Sequence, residues 1–305
     1  MEIDKEKLRN FLTLIKDKSR INSIELIEKD FYLNVLLSKL KFDSYAFKGG
    51  TCLSMAYLDY FRFSEDLDFT FIDQRIFEGK STNSIKKICK DKIDSFGAQL
   101  QKIGLDFKFD KADRKYVEMG NNNKLVTFKI NYNSISTGNS SFIKVQINFL
   151  EKILFAPEPK ELISSIKLAQ FTKEDQIYFK ELLDFYKPIK MKVYDIKEIV
   201  AEKVRSLLTR KAIKSRDAID LFFIYIKFKI KPHDLMREAR EKLLFSINNY
   251  EKYKENLVLT KGKLQSLEFQ YDEVKYLVIK PFKKEDFDAY VKELKPLLIE
   301  LTSEI

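Results

Sequence analysis

Residues 66–72 alternate between polar and apolar side chains with a period of two, which limits this chain's folding more than any other feature. The alternation predicts a β-strand whose three apolar side chains face a core. Asp66 and Asp68 then project together from the opposite face. Two carboxylates this close repel each other, so the pattern indicates either a solvated acidic edge or a site where a divalent cation compensates the charge.

A paired-glycine turn precedes this strand. Lys48, Gly49, Gly50 and Thr51 follow a short apolar run and precede a segment that we predict to be helical. Glycines permit positive φ angles and close backbone approach, and the start of a helix offers free N–H groups to an anion. A lone Gly-Gly turn is usually only a turn. Together with the two aspartates, it favours a phosphate and metal site over a plain edge strand.

The composition excludes several kinds of site. Hydrophobic residues make up 45% of the chain and charged residues 33%, which is typical of a globular protein. The two cysteines, Cys52 and Cys89, lack metal-ligand spacing, which argues against a disulfide scaffold or a structural zinc site. His233 is the only histidine, so catalysis depends on carboxylates, lysine, arginine and hydroxyls.

The formal net charge of +10 favours polyanionic partners such as nucleic acid or nucleotide phosphates. A biased genome composition would also explain this lysine excess. No segment approaches the roughly 20 apolar residues that span a bilayer, and the N-terminus is charged throughout. We therefore expect a cytoplasmic protein with no membrane partner.

Periodicity along the chain predicts an α+β fold. Helical patterns occupy residues 22–40, 81–103 and 195–208, with Asn22 and Asp195 as N-caps and Glu25 and Glu198 completing capping boxes. Strand patterns occupy residues 125–132 and 142–149. These elements predict a mixed sheet with flanking helices in the N-terminal half.

Helical patterns dominate the rest of the chain. Pro157 and Pro159 indicate a boundary, so we predict an α+β domain over residues 1–158 and a mainly helical domain over residues 159–305. We expect the helical domain to contribute to an active-site cleft.

Taken in order, the motifs resemble a known family. Gly49, Gly50 and Thr51, followed by Arg62, Ser64, Asp66 and Asp68, look like the polymerase β-type nucleotidyltransferase signature. They are more closely similar to the AbiEii family of nucleotidyltransferase toxins. The segment 28–31 also fits that family's early helix, and the resemblance extends over residues 27–224.

The resemblance implies a nucleotidyltransferase-like fold and a reaction. Asp66 and Asp68 would bind Mg²⁺, or Mn²⁺ in its place, and the phosphates of an NTP would lie on Lys48, Gly49, Gly50, Thr51, Arg62 and Ser64. An acceptor hydroxyl would attack the α-phosphorus and release pyrophosphate. The family further implies a toxin of a toxin–antitoxin or phage-defence pair, with an antitoxin partner and RNA, namely the 3′ end of tRNA, as acceptor.

The third strand departs from the family pattern. The run at residues 142–149 resembles the family's Lys-Ile-Glu-Ile-Asn, but Gln146 stands where the acid belongs. Glutamine offers a neutral carbonyl oxygen and cannot act as a base. Glu151 is a substitute candidate. Ordinary polar residues on a half-buried strand would give the same pattern.

A second group of charges lies further on. Glu202 and Lys203 fall within one predicted helix, and Arg216, Asp217 and Asp220 open the next, with the two aspartates on one face. Helices carry such charges routinely. The resemblance implies that Lys203 contacts the triphosphate, while Asp217 or Asp220 orients Lys203 or acts as base. Of these residues we favour Lys203 and Asp217.

Two other functions stay open from the sequence. One is nucleotide transfer to a protein or a small molecule. The other is a non-catalytic, degenerate nucleotidyltransferase fold that binds RNA or a partner, which Gln146 keeps open.

Overall fold

The computed structural model describes residues 3–19, 21, 23–266, 268–269 and 271–303. Its α-helices are α1 (Lys5–Lys18), α2 (Ile24–Lys39), α3 (Gly49–Cys52), α4 (Thr82–Gln101), α5 (Lys173–Tyr178), α6 (Lys180–Leu183), α7 (Ile196–Thr209), α8 (Ser215–Phe228), α9 (Met236–Asn249), α10 (Glu251–Lys261), α11 (Asp272–Lys275) and α12 (Lys284–Ser303). Its strands are β1 (Tyr45–Lys48), β2 (Asp66–Phe71), β3 (Val117–Gly120), β4 (Leu125–Asn133), β5 (Ser140–Asn148), β6 (Glu158–Leu162) and β7 (Ile189–Val193).

The strands form one mixed sheet of seven, in the order β3-β4-β5-β2-β1-β7-β6. Strand β2 lies in the interior, antiparallel to β1 and parallel to β5. The predicted α+β class, with the sheet in the N-terminal half and helices in the C-terminal half, is confirmed.

One face of this sheet packs on helix α4. Leu67 and Phe69 of β2 are fully buried. The ring of Phe96 in α4 stacks on Phe128 of β4 with centroids 5.6 Å apart, and Phe42 stacks on Phe69 at 4.3 Å. Burying these rings removes a large apolar area from water and fixes which face of β2 turns inward. The two aspartates of β2 are therefore left on the other face.

The predicted helix starts need two corrections. Helix α2 is capped by Ser23, whose hydroxyl accepts the N–H of Leu26, while the predicted cap Asn22 lies outside the described residues. Asp195 does cap α7, through the N–H of Lys197 at 2.7 Å. The predicted capping box is wrong, because the Glu198 carboxylate accepts other N–H groups, described below.

The sequence analysis did not predict β6 and β7. Both are five residues long, and β7 alternates between apolar residues and exposed lysines over too short a run to stand out. They extend the sheet from a segment that the sequence analysis assigned to the C-terminal half. The chain divides into two compact units, the first containing Met1–Leu150 with Pro159–Val193 and the second Glu151–Glu158 with Tyr194–Ile305. Among the described helices, none has the length and apolar character needed to cross a bilayer.

Helix α2 anchors the β4–β5 turn through Glu28. This carboxylate is fully buried and accepts the hydroxyls of Ser134 and Ser136 at 2.7 and 2.9 Å. It also accepts the backbone N–H groups of Ile135 and Ser136 at 2.7 and 3.2 Å. A buried carboxylate is tolerated when donors satisfy it in this way. Glu28 therefore holds the turn that leads into β5.

The next two residues of α2 hold the segment that leads into β2. Lys29 pairs with Glu65 at 2.6 Å, directly before the strand. Asp30 accepts the phenol of Tyr60 and the hydroxyl of Ser165, the latter at 2.6 Å. Burial raises the pKa of Asp30 to about 6, although both of these hydrogen bonds oppose the shift. One turn of helix thus fixes three separate segments.

We expect Glu28→Ala to destabilise the first unit by about 2–4 kcal/mol, because buried donors at the β4–β5 turn would lose a charged acceptor. Urea unfolding monitors this loss. Glu25→Ala is the matched control, since Glu25 is an exposed glutamate in the same helix, and it should change stability by less than about 0.5 kcal/mol. Equal effects of the two substitutions would contradict the anchoring role.

Candidate active site

Strand pairing sets a row of side chains across the sheet. Asp68 pairs with Lys48 of β1 on one side and with Gln146 of β5 on the other. Directly paired residues point to the same face, so Lys48, Asp68 and Gln146 project together. Thr127 of β4 continues the row, with its hydroxyl 3.5 Å from the Gln146 carbonyl oxygen, and Glu118 of β3 follows it. Asp66 lies one row away on the same face.

The paired glycines lie directly against this row. Gly49 has a φ of +79°, which a side chain would strain, and an added Cβ would overlap the carboxylate of Asp68. A Cβ on Gly50 would lie 2.5 Å from the guanidinium of Arg62 and 2.9 Å from the hydroxyl of Ser64. The turn, the acids and the Arg62–Ser64 loop therefore meet at one place, and only glycine allows that approach.

Arg62 and Thr51 hold this arrangement together from within. Arg62 is 1% exposed, and its guanidinium donates to the carbonyl of Phe63 at 2.7 Å. Thr51 is 2% exposed, and its hydroxyl donates to the backbone carbonyl of Asp66 at 2.5 Å. The Arg62 bond lies within the loop before β2, and the Thr51 bond ties α3 to the strand carrying the acids. Contacts of Arg62 and Thr51 with a nucleotide stay predictions.

The donors on this face fit a magnesium ion completed by substrate. Asp66 and Asp68 supply carboxylates and Gln146 a neutral carbonyl oxygen. Across the described part of the chain, no group of three or more His, Cys, Asp or Glu side chains is placed to hold a metal. Magnesium commonly binds through one or two carboxylates together with substrate phosphates and water. The face therefore offers an incomplete protein ligand set that a polyphosphate would complete.

The second unit places the other predicted residues in a buried ion-pair cluster. The Nζ of Lys203 in α7 lies 2.7 Å from Asp217 and 2.6 Å from Asp220, both in α8. Arg210 also contacts Asp217, at 2.5 Å. Both aspartates are fully buried and Lys203 is 7% exposed. The sequence analysis correctly expected the two aspartates to share a helix face.

The electrostatics of this cluster favour an orienting role for Asp217. Burial alone would raise the pKa of Asp217, but the charges of Lys203 and Arg210 and the hydrogen bond from Lys203 lower it to about 2. A carboxylate this acidic accepts a proton poorly near neutral pH. The geometry therefore supports Asp217 as the residue that orients Lys203 rather than as a base.

Glu202 and Arg216 lie at the edges of this region. Glu202 is half-buried and pairs with Arg205, while its other oxygen lies 3.6 Å from Lys242. Arg216 is half-buried in the first turn of α8. Glu151, the substitute candidate for a third acid, lies 3.8 Å from Lys242 within the second unit.

Sequence reasoning missed the buried network around Glu198. Its carboxylate contacts Lys242 at 2.5 Å and accepts the N–H groups of Leu154 and Phe155, both at 2.9 Å. Glu198 and Lys242 are 44 residues apart, and no local pattern joins them. The available signal was Lys242 on the apolar side of α9, where a lysine requires a buried partner.

The low pKa of Asp217 predicts that the stability of the second unit depends on pH. Its stabilising contribution is present above the unfolded pKa near 4 and is lost as the pH falls towards 2, a loss of about 2 kcal/mol. Urea unfolding of the second unit from pH 5 to pH 2 should show this decline. Asp217→Asn should remove it, whereas Asp286→Asn, at an exposed position of α12, should retain it. Parallel profiles for wild type and Asp217→Asn would contradict the assignment.

Comparisons with known proteins give the family. None of the curated proteins matches the chain. Among solved structures, the chain is similar to JHP933 from Helicobacter pylori, with 17% identity, 93% of each chain covered and a TM-score of 0.41. A candidate nucleotidyltransferase from H. pylori is 15% identical, with 92% and 94% covered and a TM-score of 0.41. The family model described as "Nucleotidyl transferase AbiEii toxin, Type IV TA system" matches residues 33–302. The chain therefore belongs to the AbiEii family of nucleotidyltransferase toxins.

Proposed function

We propose that this enzyme transfers a nucleotide from an NTP to an acceptor hydroxyl with the help of Mg²⁺, for which Mn²⁺ can substitute. The observation that carries the proposal is the packing of Gly49 against the Asp68 carboxylate. A phosphate bound at the turn would then adjoin the two carboxylates. Membership of a nucleotidyltransferase family supports the same reaction.

The residues of the first unit take distinct roles in this proposal. The turn at Gly49 and Gly50 offers its backbone to the phosphates, because no side chain intervenes. Lys48, in the same row as Asp68, adds positive charge. Ser64 lies against Gly50 and provides a hydroxyl. Most of the rate acceleration comes from positioning and from charge neutralisation, since these groups are fixed before the substrate binds.

Asp66 and Asp68 would hold the metal ion. When bound, Mg²⁺ would neutralise the phosphate charge and favour both hydroxyl attack and departure of pyrophosphate. The Gln146 amide lies beside Asp68 and accepts no proton, so β5 supplies no general base at this position. Contact of Lys203 with the triphosphate, oriented by Asp217 and Asp220, remains part of the proposal. Its support is the resemblance together with the ion pairs around Lys203.

RNA is the acceptor that we favour, and the 3′ end of tRNA is the specific target. The net charge of +10 supports a polyanionic acceptor. The family description, a toxin of a type IV toxin–antitoxin system, supports action as a toxin with a cognate antitoxin. Phage defence is the setting that we propose for it.

A labelling screen tests the proposal. The protein is incubated with each α-labelled NTP, Mg²⁺ and total tRNA. Label that enters RNA supports transfer to RNA. Label on protein or on a small molecule would instead support the alternative acceptors. NTP binding without turnover would support a non-catalytic binder, the function that Gln146 keeps open.

We expect Asp66→Asn and Asp68→Asn each to reduce transfer by at least about 1,000-fold, because each removes a carboxylate from the metal site. Initial rates of label transfer measure the loss, and circular dichroism checks the fold. Asp91→Asn, at an exposed position of α4, is the control and should keep the wild-type rate. Wild-type activity in either site variant would remove the metal assignment.

Gly49→Ala should reduce transfer by about 100-fold, because the new methyl group displaces the Asp68 carboxylate. Gly79→Ala is the matched control. Gly79 also has a positive φ, +65°, but an added Cβ there meets no atom within 4 Å. Both variants therefore carry the backbone strain of about 1–2 kcal/mol, and only Gly49→Ala disturbs the acids. Equal activity of the two variants would show that close approach to Asp68 is unimportant.

A further inference from the structure

An exposed aromatic ring lies on the same face of the sheet as the two acids. Phe142 of β5 is 39% exposed, and its partner across the strand pair is the polar Asn131. Residues 142, 144 and 146 alternate onto one face of β5, so Phe142 shares the face of Gln146 and Asp68. Leaving part of this ring in water forgoes some of the stabilisation that full burial would give, and cross-strand packing on Asn131 does not explain the exposure.

Two lysines lie beside the Phe142 ring, paired with each other in the next row of the sheet. The Nζ atoms of Lys129 and Lys144 each lie 5.9 Å from its centroid, at the outer limit of a cation–π contact. Lys129 also pairs with Glu118, so part of its charge is compensated. Lys144 pairs in register with Asp66 and brings positive charge to the row of that acid. An exposed ring beside lysines is a combination that binds single-stranded nucleic acid, by base stacking and phosphate pairing.

The order of the paired residues across the sheet indicates whether the NTP or the acceptor contacts this ring. Along β5 the order is Phe142, then Lys144 beside Asp66, then Gln146 beside Asp68 and Lys48. Strand geometry places Phe142 about 13 Å from Gln146. In the sheet order, β5 with Phe142 lies on one side of β2, and β1, from which the glycine turn departs, lies on the other. In an in-line displacement the attacking and leaving oxygens lie on opposite sides of the phosphorus. With the leaving pyrophosphate at the turn, the acceptor approaches from the side of Phe142.

We propose that Phe142, with Lys144 and Lys129, forms a stacking platform for an unpaired base of a single-stranded RNA acceptor. The base stacks on the ring, and the lysines turn to the flanking phosphates. This inference rests on the proposed function for the direction of approach. The binding that it describes needs no metal and no turnover, and can be measured separately.

The test measures binding of a fluorescently labelled, mixed-sequence single-stranded oligoribonucleotide by anisotropy, without NTP. Phe142→Ala should weaken binding by about 5- to 100-fold, the range expected for loss of one base–aromatic stack. Phe142→Tyr keeps a stacking ring and should bind within about twofold of wild type. Lys144→Gln should weaken binding and lower the slope of log affinity against log salt by about one.

Tyr178→Ala is the matched control. Tyr178 is also an exposed aromatic residue of the first unit, with Lys7 5.4 Å from its ring centroid, but it lies on α5. It should bind the oligonucleotide as wild type does. In parallel, calorimetry with a non-hydrolysable NTP analogue and Mg²⁺ should give equal affinities for wild type and Phe142→Ala.

Several results would overturn the inference. They are absence of oligonucleotide binding by the wild type, unchanged binding by Phe142→Ala, equal weakening by Tyr178→Ala, or loss of NTP affinity in Phe142→Ala. Failure of the proposed function looks different. Oligonucleotide binding that depends on Phe142, without label transfer by the wild type, would leave the platform standing and remove the transferase proposal.

Discussion

The pairing of β2 with β1 on one side and β5 on the other is the constraint on which the site depends. This register places Asp68 beside Lys48 and Gln146. A slip of one residue would turn both aspartates into the core and bring Leu67 and Phe69 to the open face. The aromatic packing beneath β2 prevents that slip, because Phe69 stacks on Phe42 and Phe47. The hydrophobic core thus sets the position of the acids as much as the acids' own contacts do.

The two pairs of aspartates predicted for the site lie in opposite environments. In the first unit, Asp66 and Asp68 are half-buried on an open face. In the second, Asp217 and Asp220 are fully buried and compensated by Lys203. Breaking a buried pair of this kind leaves an uncompensated charge and typically costs 3–5 kcal/mol. The first arrangement is suited to binding a cation from solution, and the second to holding a lysine in a fixed direction.

The sequence was most informative where a short-range pattern carries the structure. Alternation at residues 66–72 was enough to predict β2 and the shared direction of its acids, and spacing was enough to pair Asp217 with Asp220. Contacts between residues that are far apart in the sequence could not be predicted from such local patterns. The pairing of Glu198 with Lys242 joins positions that are 44 residues apart. Likewise, no local pattern in the short strand β7 predicts that it pairs with β1. Three-dimensional packing alone decides such contacts.

Glu28, Lys29 and Asp30 follow one another on α2 and point in three directions, about 100° apart. Within the first unit, Glu28 binds the β4–β5 turn, Lys29 pairs with Glu65 and Asp30 accepts a hydrogen bond from Tyr60. Substitution of any one would leave the other two in place. Inserting or deleting a single residue upstream within α2 would rotate all three together and release every segment at once. In evolution, α2 should therefore tolerate amino-acid substitutions better than insertions or deletions.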